Sequence, residues 1–410
     1  YGDHRDLHLS IRRQRQMCIR DSLLFGQLIP PFQGVYDKKS TAFSTSSSLI
    51  FDGSNDKVTT NLSMNNWSAF TFEAWVYPET SGSREGIIGH NDIIEFGFNP
   101  ANRIHFWTAK GSQVNWTFNT STLPYSTWHH IVGIGDGTLN NNNLKIYVNG
   151  VLKADGGSAP SGDHYGTANY TINIGAGAYD PLNSTQYYDG NLDEIRVWNS
   201  ARSIDEIKAN MFKQLNGDES NLQAYYKMST ATGTTLVDNS SNSNDGTISG
   251  ATWGANYVPL GNLNSSYQTD MEGLWEATGT SASQSSNGLT MTVSQTLSEE
   301  NFAVFGNNNT SNTSTSDLPS GTVIRSARIW QVDKSGTVSA SIIIDISDAT
   351  GNSPTIGAAT NYKLLHRIGT SGNFTSVATG GSVSGDNITF SGVTVHKGFY
   401  VIAATDSSNL

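Results

Sequence analysis

The chain's apolar residues recur mostly with a period of two. Phe70-Thr71-Phe72-Glu73-Ala74-Trp75-Val76-Tyr77-Pro78 alternates, placing Phe70, Phe72, Ala74 and Val76 on one face of a strand that a proline ends. Arg103 to Thr108 and Gln113 to Asn119 alternate as well, and the intervening Ala109-Lys110-Gly111-Ser112 predicts a hairpin turn. Trp128 to Ile134 runs into Gly135-Asp136-Gly137. Leu144 to Leu152 reads as strand, Asn149-Gly150 turn, strand. Strands spaced by roughly ten residues with such turns predict an antiparallel sandwich or jelly roll. One helix interrupts them. Ser203-Ile204-Asp205-Glu206 is a capping box, and Ile204, Ile207, Met211 and Phe212 share the helical face that follows.

A polar stretch, Leu260 to Tyr267, separates this pattern from a second set of strands. These are expected at Glu272 to Ala277, Phe302 to Asn309, Arg328 to Gly336, Tyr362 to His366, Asn387 to Val393 and Lys397 to Val401. At 410 residues the chain has room for two modules. The predicted fold is all-β: a jelly-roll sandwich with one short helix over 45–257, a linker at 258–268, and a smaller antiparallel β-sandwich over 269–405. Asp406 to Leu410 reads as the start of a further linker, which would make the chain a fragment.

Composition agrees with this picture. Charged residues make up 14% of the chain against about 25% in an average soluble protein, with Ser, Thr, Asn and Gly in their place. The 9 Trp, 16 Tyr and 16 Phe give it the apolar bulk that disordered chains lack. A net charge of −11 disfavours nucleic acid and anionic membrane surfaces as partners, and no apolar run is long enough for membrane insertion as a helix.

Residues 1–22 carry Arg12, Arg13, Arg15, Arg20 and the single cysteine, Cys18, without periodicity. They resemble a translated sequencing-adaptor read from the end of a metagenomic contig, the alternative being the basic start of a signal peptide; in either case they stand outside the fold. Residues 23–44 begin with Leu23-Leu24-Phe25 and read as a secretion-signal remnant and linker. With Cys18 set aside no cysteine remains, which excludes a disulfide scaffold and a cysteine zinc site and favours bacterial export. The expected location is secreted or on the outer cell surface.

Several motifs follow one another in a telling order. They are Phe51-Asp52-Gly53-Ser54-Asn55-Asp56-Lys57-Val58, Phe72 to Val76, Trp128-His129-His130-Ile131-Val132, Leu144 to Gly150, and Asp189 to Asn199 with the capped helix behind it. Together they resemble the laminin-G-like jelly roll of the concanavalin A-like superfamily, as found in bacterial surface proteins. The second half resembles an uncharacterised β-sandwich module of large secreted Bacteroidetes-type proteins. The resemblance implies a recognition or adhesion module that binds a glycan or a surface protein. A structural spacer in a large multi-module protein is the alternative, and a glycoside-active enzyme is less favoured.

The chemistry of the residues points the same way. Glycoside hydrolysis needs two carboxyl groups astride the scissile bond. Among Glu95, His105, Trp107, Asn115, Thr117 and Tyr147, which alternate away from the core set, only Glu95 is acidic. Adjacent His129 and His130 point to opposite faces and are expected to pack rather than chelate. No catalytic residue is expected. His105, Trp107 and Tyr147 could instead stack on a sugar ring, with Asn115 and Thr117 as polar partners; Trp116, in line with Val114 and Phe118, is expected in the core. Asp52, Asp56 and Asp193 are candidate ligands for a structural calcium ion, which the resemblance implies for some relatives. The other reading is that they cap turns.

Overall fold

The structure is a computed structural model that describes residues 47–410 except 82–83, 91–92, 110–111, 159–164, 166–170, 177–186, 256, 279–282 and 294. The two N-terminal segments, 1–22 and 23–44, and the turn at Lys110-Gly111 lie outside the described residues.

In chain order the strands of the first module are β1 Ser48–Asp52, β2 Lys57–Ser63, β3 Ala69–Pro78, β4 Glu85–His90, β5 Ile94–Asn99, β6 Arg103–Thr108, β7 Ser112–Thr117 and β8 His129–Asp136. They continue as β9 Asn141–Val148, β10 Val151–Ser158, β11 Thr171–Ile174, β12 Asp189–Trp198, β13 Leu222–Tyr226, β14 Thr235–Leu236, β15 Gly246–Ser249 and β16 Thr252–Gly254. Sheet I runs β10-β9-β8-β3-β12-β1-β16, with β13 also on β12; sheet II runs β14-β15-β2-β11-β4-β5-β6-β7. Every pairing is antiparallel, as the period-two patterning requires. The β9–β10 hairpin turns at Asn149 (φ 50°) and Gly150 (φ 73°), the left-handed pair that an Asn-Gly turn supplies.

The two sheets bury their facing sides in one core. Phe70 and Phe72 of β3, Phe96 and Phe98 of β5 and Phe106 of β6 are fully buried there, with Phe70 edge-on to Phe106 at 5.7 Å between ring centres. The helix Ile204–Met211 lies on the outer side of sheet I, where Ile207 meets Val132 and Ile134. Its capping box forms as predicted: the Glu206 N–H donates to Ser203 Oγ at 3.3 Å and the Ser203 N–H to Glu206 Oε2 at 2.8 Å.

The second module is a sandwich of two further antiparallel sheets. One is built around Thr269–Leu274, Phe302–Asn307, Trp330–Ser335, Gly398–Ala404 and Tyr362–Arg367, the other around Leu289–Val293, Ser339–Asp345 and Asn387–Thr394. They enclose Met291, Phe305, Ile342, Ile344, Phe390 and Ile402.

Two stretches expected to be linkers are held in place. Val258, Leu260 and Leu263 are buried, while the N–H groups of Asn262 and Asn264 donate to Asp333 Oδ2 and Gln331 Oε1, each at 2.8 Å. At the other end Leu410 is buried and Asn409 Nδ2 donates to the Thr355 carbonyl. In both, a few apolar or amide side chains turn inward from a polar sequence, which composition alone does not reveal. The modules meet across a shared cluster of Trp75, Trp128 and Phe212 from the first with Met271, Trp275 and Val304 from the second. Trp275 stands edge-on to Trp75 at 5.7 Å and its indole N–H donates to the Trp128 carbonyl at 2.9 Å.

Candidate functional site

The outer side of sheet II is a polar shelf. Antiparallel register puts Glu95 of β5, Trp107 of β6 and Gln113 of β7 in one row, Gly97, His105 and Asn115 in the next, and Asn99, Arg103 and Thr117 in the third. The first row continues through Gly89, Asn173, Thr59 and Thr247. At roughly 4.8 Å per strand the strip from Thr247 to Gln113 is about 29 Å long, the span of several sugar rings.

Trp107 is half-buried with part of its ring open, and Asn115 and Thr117 are exposed. His105 is nearly buried, with Nδ1 2.7 Å from Asn115 Oδ1. Burial pushes the imidazole pKa down, and Arg84 and Arg103 add to this against the Asn115 hydrogen bond. A neutral ring whose Nδ1–H donates to Asn115 fits that environment, leaving the Asn115 amide N–H groups free to donate outward. Glu95 is 2% exposed and ion-paired with Arg84. Its charge is answered within the protein, and it stands as the acidic member of these three rows among the described residues.

Tyr147 does not join this site. It lies on β9 of sheet I, opposite Val132, and packs beside Ile134 and Ile207 under the helix. Its alternation away from the core was read correctly; the sheet to which it belongs depends on pairing that one strand's pattern does not reveal. Trp116 points inward as expected. Because β7 is an edge strand the ring is only half-buried, with Lys153 Nζ 5.3 Å from its centre.

The three aspartates proposed for calcium do not converge. Asp56 accepts the Asp52 N–H at 2.9 Å, Asp52 accepts the Ser54 N–H at 2.9 Å, and Asp193 accepts the Glu194 N–H at 2.7 Å. Asp193 lies opposite Trp75 in mid-sheet, whereas Asp52 pairs with Asp189 at the strand end. Among the described residues no group of three His, Cys, Asp or Glu side chains is placed to hold a metal ion. The set does not fit a calcium cage of six to eight oxygens, and the turn-capping alternative describes Asp52 and Asp56.

The outer side of sheet I, by contrast, is covered, and it holds a charge network that the strand patterning did not disclose. Glu73 Oε1 accepts the Trp198 indole N–H at 2.7 Å, and Oε2 lies 3.4 Å from His130 Nε2 and 3.7 Å from Arg196. Arg196 pairs with Glu194 at 3.0 Å and donates to the carbonyls of Asn210 and Lys213; the Tyr225 hydroxyl donates to Glu194 at 2.6 Å. Burial would raise the Glu73 pKa, but His130, Arg196 and Arg202 outweigh it and hold the carboxyl below its usual range. Burial pushes His130 down. His129, on the other face, is neutral too: burial takes it to about 4, and it is fixed between the Pro124 carbonyl and Asn149 Nδ2. The sequence signal was the Glu73-x-Trp75 and Glu194-x-Arg196 spacing, which puts each pair on one side of its strand. A left-handed Glu194 (φ 50°) at the β12 bulge completes the alignment.

Two facing antiparallel sheets with a capped helix on one outer side define the first module as a sandwich of the concanavalin A-like class. Residues 52–208 match the Laminin_G_3 family model, described as the concanavalin A-like lectin/glucanases superfamily, and residues 262–399 match a domain of unknown function, DUF8202. No curated protein matches the chain. Among solved structures it is similar to a candidate carbohydrate-binding protein from Bacteroides ovatus: 22% identity, 53% of this chain and 62% of that one, TM-score 0.44. It is also similar to a SAP-like pentraxin from Limulus polyphemus (13% identity, 53% and 98%, TM-score 0.35). A third is the CBM40 of a Ruminococcus gnavus sialidase bound to sialyllactose (11% identity, 40% and 95%, TM-score 0.25).

Proposed function

We propose that this chain is a non-catalytic recognition module of a secreted or cell-surface protein, and that it binds carbohydrate along the polar shelf of sheet II. The observation that carries this reading is the half-open Trp107 ring in a row of Glu95 and Gln113, beside the His105–Asn115 pair. A planar ring takes the apolar side of a sugar while the amides and hydroxyls around it bond the sugar's hydroxyl groups. One ring contributes on the order of 1 kcal/mol beyond its buried area, so a single site would be weak and repetition on a surface would supply avidity. Glycoside hydrolysis needs two carboxyl groups astride the bond, and Glu95, ion-paired with Arg84, is the acidic member of the shelf's three rows among the described residues, which supports binding without cleavage. No helix among the described residues is long and apolar enough to cross a membrane.

A glycan array probed with the whole chain tests the proposal. Binding that Trp107→Ala removes, with no release of reducing sugar from bound glycans, is the expected outcome. No binding to any glycan would leave the spacer reading in its place.

A further inference from the structure

Where the modules meet, the segment that follows the helix Ile204–Met211 and the inter-module segment leave a cleft of about 250 Å³. Leu215, Leu260 and Leu263 form its apolar floor, each buried. Its polar lining consists of Lys213, Lys227, Gln214, Asn216, Asn262 and Gln268, with no carboxylate among them. That is unexpected in a chain with 35 acidic and 24 basic residues.

Neither ammonium group makes a close ion pair. Lys213 Nζ is 3.4 Å from Gln268 Oε1, and Lys227 Nζ lies 5.1 Å from the centre of the Tyr225 ring. Among the described residues neither has an ion-pair partner. The nearest carboxylates are committed elsewhere: Glu194 to Arg196, Tyr225 and Gln214, and Glu219 to the N–H groups of Asn216 and Gly217. Arg196 stands behind the wall, donating to the Lys213 carbonyl at 2.7 Å. Burial and the Arg196 charge together hold the Lys213 pKa below its usual value, against Glu219. Two ammonium groups without a close carboxylate therefore share a small, partly desolvated space rimmed by amides.

We infer that this cleft binds a small hydroxylated carboxylate, a single uronic-acid-type sugar, with its carboxylate on Lys213 and Lys227 and its hydroxyl groups on Asn216, Asn262 and Gln268. The volume admits one ring and little more, below the range of drug-sized pockets. Charge-assisted hydrogen bonds from two ammonium groups to one carboxylate supply the selectivity for an anion. The site shares no residue with the sheet II shelf, so the two readings stand or fall separately.

The test is calorimetric titration of the whole chain at low salt with D-glucuronate, D-glucose and inorganic phosphate. Glucuronate should bind in about the millimolar range, with glucose and phosphate each at least about tenfold weaker. Lys227→Gln and Lys213→Gln should each weaken glucuronate by about tenfold or more. Lys227 is half-buried at the rim, so its variant tests the site even if Lys213→Gln perturbs the fold. Glucose binding as tightly as glucuronate, phosphate binding as tightly, or glucuronate binding retained in Lys227→Gln would each overturn the inference.

Discussion

On sheet I the side chains that alternate away from the core, Glu73, Trp75 and His130, are almost wholly buried; on sheet II their counterparts, Trp107, Asn115 and Thr117, reach solvent. The same period of two built both sheets. What differs is the cover. The helix Ile204–Met211, the segment behind it and the second module close over sheet I, whereas on sheet II Glu95 and His105 are buried among their neighbours and the residues beside them stay open. Alternation decides which residues face the partner sheet, and it is silent about what lies on the other side. The covered side had to answer its polar groups internally, and it did so with an ion network and indole hydrogen bonds. The open side kept an incompletely buried ring and unanswered amides, the condition for binding something else.

Breaking the covered side should have the largest effect. Arg196→Ala would leave Glu73 and Glu194 as buried carboxylates with their main counter-charge gone. Removing one partner of a buried pair costs about 3–5 kcal/mol, and stranding two carboxylates places this variant at the upper end. Chemical denaturation should show the loss; a change below about 1 kcal/mol would mean that water reaches the network and that sheet I is not closed as described.

Next in size is the lid itself. Trp275→Ala removes a nearly buried ring from the junction, at a cost of about 3–5 kcal/mol, and leaves Trp75 and Trp128 facing a void. The consequence for cooperativity is more informative than the magnitude. With Trp75, Trp128 and Trp275 in one cluster, the intact chain should unfold in a single calorimetric transition, and this variant should split it in two. Two transitions in the unmodified chain would show the modules to be independent and the cover over sheet I to be loose.

The legible part of this molecule was the part governed by local chemistry. Phe70 to Val76, the Asn149-Gly150 turn and the Ser203–Glu206 capping box each state their structure within a few residues, and each formed as read. The placement of Trp107 beside His105 and Asn115 was legible because a short hairpin fixes the register of β6 on β7. Tyr147 was misplaced, and the Glu73 network and the inter-module cleft went unseen, for one reason. Each depends on segments far apart in sequence, such as Glu73 with Trp198, 125 positions away, or Trp75 with Trp275. Asp193 illustrates the same limit, because strand-end and mid-sheet positions look alike until β12 is paired with both β1 and β3.

A smaller effect depends on pH. His129 is almost completely buried and its pKa is depressed to about 4 from an unfolded value near 6.5. Above 6.5 both states are neutral there and its contribution is complete. As pH falls from 6.5 towards 4 the unfolded chain takes up a proton that the folded chain refuses, so stability should decline by on the order of 3 kcal/mol. His130 and Glu73 are shifted in the same direction and add to the acid sensitivity of sheet I. His129→Gln should flatten the stability profile between pH 4 and 6.5, although the variant begins from a lower plateau. An unchanged slope would mean that acid opens the module elsewhere first.

The smallest effect on stability should accompany the largest effect on binding. Trp107 projects from a sheet whose outer side is uncovered, and part of its ring already lies in water, so Trp107→Ala should cost no more than about 1 kcal/mol. Its loss removes the one large apolar surface of the shelf, and glycan binding there should vanish while the melting profile barely moves. Asn115→Ala sharpens the reading: it frees the His105 Nδ1–H from its 2.7 Å contact and removes the outward amide, which should weaken binding by less than the loss of the ring. If Trp107→Ala instead destabilised the module as much as Trp275→Ala, sheet II would have a cover of its own. The two sides would then be alike, and the shelf would be no site at all.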